Sequence, residues 1–206
     1  MQRISRDTFL ACSKITAARY ESMGRDGHVA LAFGAPVTGI HGAYLPLDAV
    51  AMRLAGELTP HVGRDDATGI VLSHWPSWVE SVARTEIDDR PMFFAVGFKG
   101  SGKAREYLIT AGTPDEIIRD FGGFDQNGVI LLNVSKVVAD VRRIATEVGF
   151  DLHEAFFYPP GHPQYEPTLK EGERNREVAL ARLRERNPKK FRREMSRKPV
   201  GRVAAR

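Results

Sequence analysis

Gly97-Phe98-Lys99-Gly100-Ser101-Gly102-Lys103-Ala104 directly follows the most strand-like run of the chain, Pro91–Phe98, and carries residues suited to phosphate. Its first seven residues match G-x-x-x-x-G-K. In a phosphate-binding loop the glycines let backbone N–H groups turn toward phosphate oxygens, and the lysine offsets their charge. Such a loop also needs a Ser or Thr hydroxyl for Mg²⁺ after the lysine, an aspartate at the end of a later strand, and a helix N-terminus facing the anion. Here Ala104 follows Lys103, the later apolar strand ends in Asn133, and the residues after Lys103 read as a strand. The same five residues, Lys99 to Lys103, also suit a plain hairpin loop, with glycines for positive φ and lysines for solubility. The candidate phosphate or nucleotide site is Gly100, Ser101, Gly102, Lys103 and Arg105, with Lys103 and Arg105 supplying the charge.

Other reactive residue types are scattered. None of the six histidines falls in an H-x-x-x-H or H-E-x-x-H spacing, so a metal site would require distant residues to converge. His74, before Trp75-Pro76, is the most site-like of them. Asp65-Asp66 and Asp88-Asp89 are carboxylate pairs of the kind that hold Mg²⁺ in nucleases, although adjacent acids in loops are more often solvated turn formers. Cys12, the single cysteine, excludes an internal disulfide and reads as a small buried residue. Trp75 and Trp78 read as packing residues, with an exposed stacking platform as the rival reading.

Charge is divided unequally along the chain. Lys170–Arg206 holds 14 Lys/Arg against 5 Asp/Glu, a net of +9; residues 1–169 hold 16 against 21, a net of −5. A mildly acidic body with a basic arm is a footprint for polyanions. Arg182, Arg186, Lys189, Lys190, Arg192, Arg193, Arg197 and Lys198 are the candidate nucleic-acid contacts. No apolar run is long enough for a signal peptide or a membrane span, so the chain is expected to be cytoplasmic.

Several elements are needed to position these residues. Ser5 and Asp7 cap a predicted helix to about Tyr20, and His28–Phe33 reads as a strand. Leu47, Val50, Leu54 and Leu58 mark an amphipathic helix between Pro46 and Pro60. Gly63–Gly69 reads as a loop, Gly69–His74 as a buried strand, and Ser77 with Glu80 as the start of a helix. Pro91–Phe98 and Arg105–Thr110 form a predicted hairpin. Thr113-Pro114-Asp115-Glu116 starts a helix that Gly122-Gly123 end. Gly128–Val134 is apolar enough to be a central strand. Ser135 caps a helix with the best apolar stripe of the chain, Val137 to Val148, and His153–Tyr158 reads as a last strand. The expected class is mixed α/β: a body over residues 1–158, a proline-rich linker over 159–167, and a basic extension over 168–206. The extension opens on a Thr168/Glu171 capping box and becomes too polar for a core from Lys189 on.

Gly102-Lys103-Ala104-Arg105 is also G-x-x-R between two apolar segments, preceded by Leu45-Pro46-Leu47-Asp48-Ala49-Val50 and followed by Ala111-Gly112. Over residues 45–112 this pattern resembles the superfamily that joins ParB-type partition proteins with sulfiredoxin. That superfamily includes nucleases, nucleotide-binding proteins and plasmid fertility-inhibition factors. The resemblance implies phosphate contact by Gly102 and Arg105.

Two functions follow as expectations. One is a nucleic-acid-associated protein of a mobile element, binding DNA or RNA through its tail and nucleotide or phosphodiester at the glycine loop. If it is an enzyme, it is a phosphodiester or nucleotide hydrolase using Mg²⁺. The other is a non-catalytic interaction or inhibitor protein that docks an acidic protein surface through its basic tail.

Overall fold

The computed structural model of the protein describes residues 1–26, 28–29, 31, 44–100, 106–122 and 127–186. These residues form eight helices and three strands, a mixed α/β fold. None of the helices among them is long and apolar enough to cross a membrane.

The N-terminal region is two helices, α1 (Arg6–Ser13) and α2 (Ala17–Asp26), where the sequence suggests one. Ser5 caps α1 by accepting from Thr8 N at 3.1 Å. Lys14 then takes the left-handed conformation (φ 55°), which ends α1, and Thr16 accepts from Arg19 N at 3.2 Å to start α2. No strand is present at His28, Val29 or Leu31; the rest of the expected His28–Phe33 strand lies outside the described residues.

Helix α3 (Pro46–Val62) begins at its proline, with Asp48 Oδ2 accepting from Leu45 N at 2.8 Å. It runs through Pro60, which costs one intrahelical bond near its end. Gly63, at φ 85°, separates it from α4 (Arg64–Ser73). The expected Gly69–His74 strand is therefore the second half of a helix. Ala67, Ile70 and Val71 are its buried stripe at helical spacing, and Asp65 and Asp66 favour its N-terminus. An apolar run this short fits a buried strand or a buried helix, and packing against α3 decides. Helix α5 (Trp75–Arg84) starts two residues before the expected Ser77 cap, with Pro76 in its first turn.

The sheet has the order β2-β1-β3 and is antiparallel throughout: β1 is Phe93–Lys99, β2 Glu106–Gly112 and β3 Gly128–Asn133. The strand expected to be central, β3, is an edge strand, and β1 is the centre. Phe94 to Gly97 are all buried on β1, whereas Val129 and Leu131 on β3 are exposed. Helix α6 (Pro114–Phe121) has the expected capping box, Glu116 Oε2 accepting from Thr113 N at 2.7 Å. Helix α7 (Val134–Glu147) follows β3 without a break, capped by Asn133 rather than Ser135: Asn133 Oδ1 accepts from Lys136 N at 2.8 Å. Ser135 instead accepts from Met92 N at 2.9 Å, tying α7 to the start of β1.

The main core lies between one sheet face and helices α1, α3, α4, α5 and α7. Trp75, Trp78, Phe9, Phe94, Leu47, Leu54 and Leu58 are among its fully enclosed side chains. A smaller cluster of Ala95, Ile117 and Phe121 lies on the opposite face under α6.

The expected last strand at His153–Tyr158 is not a strand. The Arg142 guanidinium on α7 donates to Leu152 O and, at 3.1 Å, to Glu154 O. It also lies 4.7 Å above the Phe156 ring. A side-chain cation thus satisfies carbonyls that a neighbouring strand would otherwise take.

Helix α8 (Tyr165–Arg186) starts three residues before the expected Thr168 cap, so Thr168 is a buried residue inside it. The residues before α8, in the expected proline-rich linker, form a hydrogen-bonded turn: His162 N donates to Pro159 O at 3.0 Å and Tyr165 N to His162 O at 2.9 Å.

Candidate functional site

The glycine loop closes the β1–β2 hairpin. Lys99 pairs with Glu106 in the strand register, their charged groups 3.7 Å apart. Gly100 adopts φ 77°, the conformation for which glycine is favoured. Its N–H donates to Asn127 Oδ1 at 2.7 Å, and Asn127 N donates to Phe98 O at 2.8 Å. Asn127 therefore ties the hairpin to the start of β3. In a phosphate cradle the glycine N–H groups face the anion, whereas that of Gly100 faces Asn127. The element after the loop is strand β2, where a P-loop has a helix. The Gly100 amide is thus engaged by Asn127. Ser101, Gly102, Lys103 and Arg105 lie outside the described residues.

A second cluster forms where the sequence gives no local signal. His28 Nε2 meets Asp65 Oδ1 at the start of α4, across 37 residues of sequence. Tyr107 on β2 donates to Asp66 Oδ2 at 2.9 Å, across 41 residues. Thr68 Oγ1 donates to Arg64 O at 3.0 Å and to His28 O at 3.4 Å. An open hollow of about 400 Å³ is lined by His28, Val62, Gly63, Arg64, Asp65 and Asp66. The two adjacent carboxylates serve different partners, Asp65 a histidine and Asp66 a tyrosine. That arrangement holds His28 and β2 against α4, each carboxylate meeting its own partner. Among the described residues no group of three or more His, Cys, Asp or Glu is placed to hold a metal ion.

The remaining candidates lie in or beside helices α1, α4 and α5. Asp88 accepts from Arg84 Nε at 2.9 Å, one helical turn away. His74 occupies the junction between α4 and α5 rather than a strand end. Trp75 and Trp78 are fully buried, and Trp78 Nε1 donates to Val71 O at 2.9 Å, so neither is a stacking platform. Cys12 is fully buried, and burial pushes its thiol up to about 11, which removes the thiolate needed for nucleophilic attack.

The basic segment has a fixed root. The Tyr165 ring meets Phe157 edge-on at 5.8 Å, and His162 stacks on Tyr158 at 4.6 Å with 10° between planes. Gln164 N donates to His162 Nδ1 at 3.1 Å, closing the turn. Burial, then the carboxylates of Glu80 and Glu166, push the Tyr165 phenol above its ordinary value. Tyr165 and Leu169 pack against the main core, so α8 starts in contact with the body. Arg182 and Arg186 fall on the last two turns of α8, while Lys189, Lys190, Arg192, Arg193, Arg197 and Lys198 lie outside the described residues.

No protein-family model matches this sequence, and no curated protein matches it at a significant level.

Proposed function

We propose that this protein binds nucleic acid through its basic C-terminal segment, with the α/β body as the mount. The observation that carries this reading is the charge of +9 over Lys170–Arg206, set against a body of −5; the segment begins within α8, whose first turns are anchored by Tyr165 and Thr168. Such charge binds phosphates with release of counterions and little demand for a particular sequence. The G-x-x-R pattern of Gly102 and Arg105 adds a second phosphate contact to this reading. Binding is the proposed activity; phosphodiester or nucleotide hydrolysis with Mg²⁺ is the reaction to assay beside it.

The test keeps the whole chain, because a truncation near Pro160 would strip away buried Thr168 and the Tyr165 contact. Binding of labelled DNA and RNA is measured against salt for the wild type and for K189Q/K190Q/R192Q/R193Q. The wild type is expected to weaken steeply as salt rises, and the variant to lose up to about 3.6 from the log–log slope, at about 0.9 per phosphate contact. If the two proteins bind alike, the tail is not the contact. If neither binds at low salt, docking to an acidic protein surface takes precedence.

A further inference from the structure

Among the described residues strand β3 is an edge of the sheet, and the phase of its backbone is fixed. Val134 N donates to Met92 O at 2.9 Å, one residue beyond the β1–β3 register. Bonded pairs alternate along an antiparallel ladder, so Leu132, Ile130 and Gly128 turn their backbone groups toward β1. Val129, Leu131 and Asn133 therefore turn theirs away from the sheet. Among the described residues no strand pairs with that edge.

The same residues leave the β3 side of the outer sheet face exposed. Leu131 lies opposite Ala95 and Val129 opposite Gly97, on the face that α6 covers with Ile117 and Phe121. Helix α6 packs on β2 and β1, leaving Leu131 56% and Val129 38% exposed. Edge strands ordinarily carry a lysine, a proline or a bulge that blocks pairing. From Asn127 to Ser135 this chain has no charge and no proline.

We infer that β3 pairs antiparallel with β3 of a second copy of this chain about a two-fold axis. Three observations favour a second copy over an unrelated strand. First, a neutral strand offers a charged partner no complementary charge. Second, the strand is complementary to itself: with Ile130 opposite Ile130, Val129 faces Leu131 of the second copy and Leu131 faces Val129. Both outward residues of each copy then form ladder hydrogen bonds, and all four exposed side chains meet on one face. Third, each copy lacks cover on the same half of its outer face, so the two halves form one apolar floor between two α6 helices. The product is a six-stranded antiparallel sheet carrying two basic arms. A six-residue edge is small beside the roughly 1,600 Å² of a standard interface, so the dimer is reversible on dilution.

The full chain is followed by sedimentation velocity from about 5 to about 500 µM, where mass action makes a weak dimer visible. The wild type is expected to pass from monomer to dimer, L131K to stay monomeric, and I118K, altered at the exposed Ile118 of α6, to dimerise like the wild type. Amide exchange supplies a readout that needs no variant. Protection at Val129 and Leu131 rises with concentration, while Ile130, bonded to β1 in either state, does not change. A wild type that stays monomeric at the highest concentration overturns the inference. So does a dimer that survives L131K, or protection at Val129 and Leu131 that ignores concentration.

Discussion

Gly97 and Gly56 have opposite reasons for lacking a side chain. A Cβ at Gly97 would run into the Phe121 ring, whereas one at Gly56, in the middle of α3, would meet nothing within 4 Å. Gly97→Ala is therefore expected to cost about 1–3 kcal/mol, as overpacking does. Gly56→Ala should gain about 0.5–1 kcal/mol by removing backbone freedom from a helix interior. Urea denaturation of the two variants checks both signs. Glu116 is a residue whose charge is held by its neighbours. Burial alone would raise its pKa, but hydrogen bonds from Thr113 N and Thr113 Oγ1 and the Arg84 guanidinium outweigh that and hold it below the ordinary glutamate value. A depressed carboxylate contributes stability that is present above its unfolded pKa and lost as pH falls through the folded one. Wild type should thus exceed Glu116→Gln in melting temperature near neutrality, with the gap closing below about pH 4.5. A gap independent of pH would mean that the box acts through shape and not charge.

At the scale of elements, the segment after α7 depends on one side chain. Arg142 serves two carbonyls of residues 152–154, the Glu86 carboxylate at 2.5 Å and the Phe156 ring. Arg142→Met keeps most of the packing and removes the hydrogen bonds. The expected cost is about 1–3 kcal/mol, with faster amide exchange across 152–157 and little change in α3. The capped helix α6 and the β1–β2 hairpin were legible in the sequence because their signals are local: Thr113 with Glu116, and two apolar runs around a glycine loop. The fate of Gly69–His74 and His153–Tyr158 was not. The first became helical because α3 offers it an apolar face, and the second irregular because Arg142 caps its carbonyls. Neither partner is adjacent in sequence.

For the whole molecule, charge and symmetry lead to separate expectations. The basic segment predicts steep salt dependence of nucleic-acid binding, about 0.9 in log–log slope per phosphate engaged. The open β3 edge predicts self-association that does not depend on nucleic acid. If both hold, L131K should bind long polymers more weakly than wild type while matching it on short fragments that accommodate a single arm. Binding measured against fragment length separates the two contributions.

Composition and spacing by themselves determined the mixed α/β class, the hairpin at Gly100, the capped α6 and the acidic body with its basic extension, since each depends on residues near one another or on charge summed along the chain. Only the tertiary structure decided that β3 is an edge and β1 the centre among the described residues, that Asp65 and Asp66 meet His28 and Tyr107, and that the root of α8 is anchored against Phe157. These outcomes depend on which surfaces compete for burial and which distant donors reach a given acceptor. Such choices are made by packing across the whole chain, and a linear pattern does not contain them.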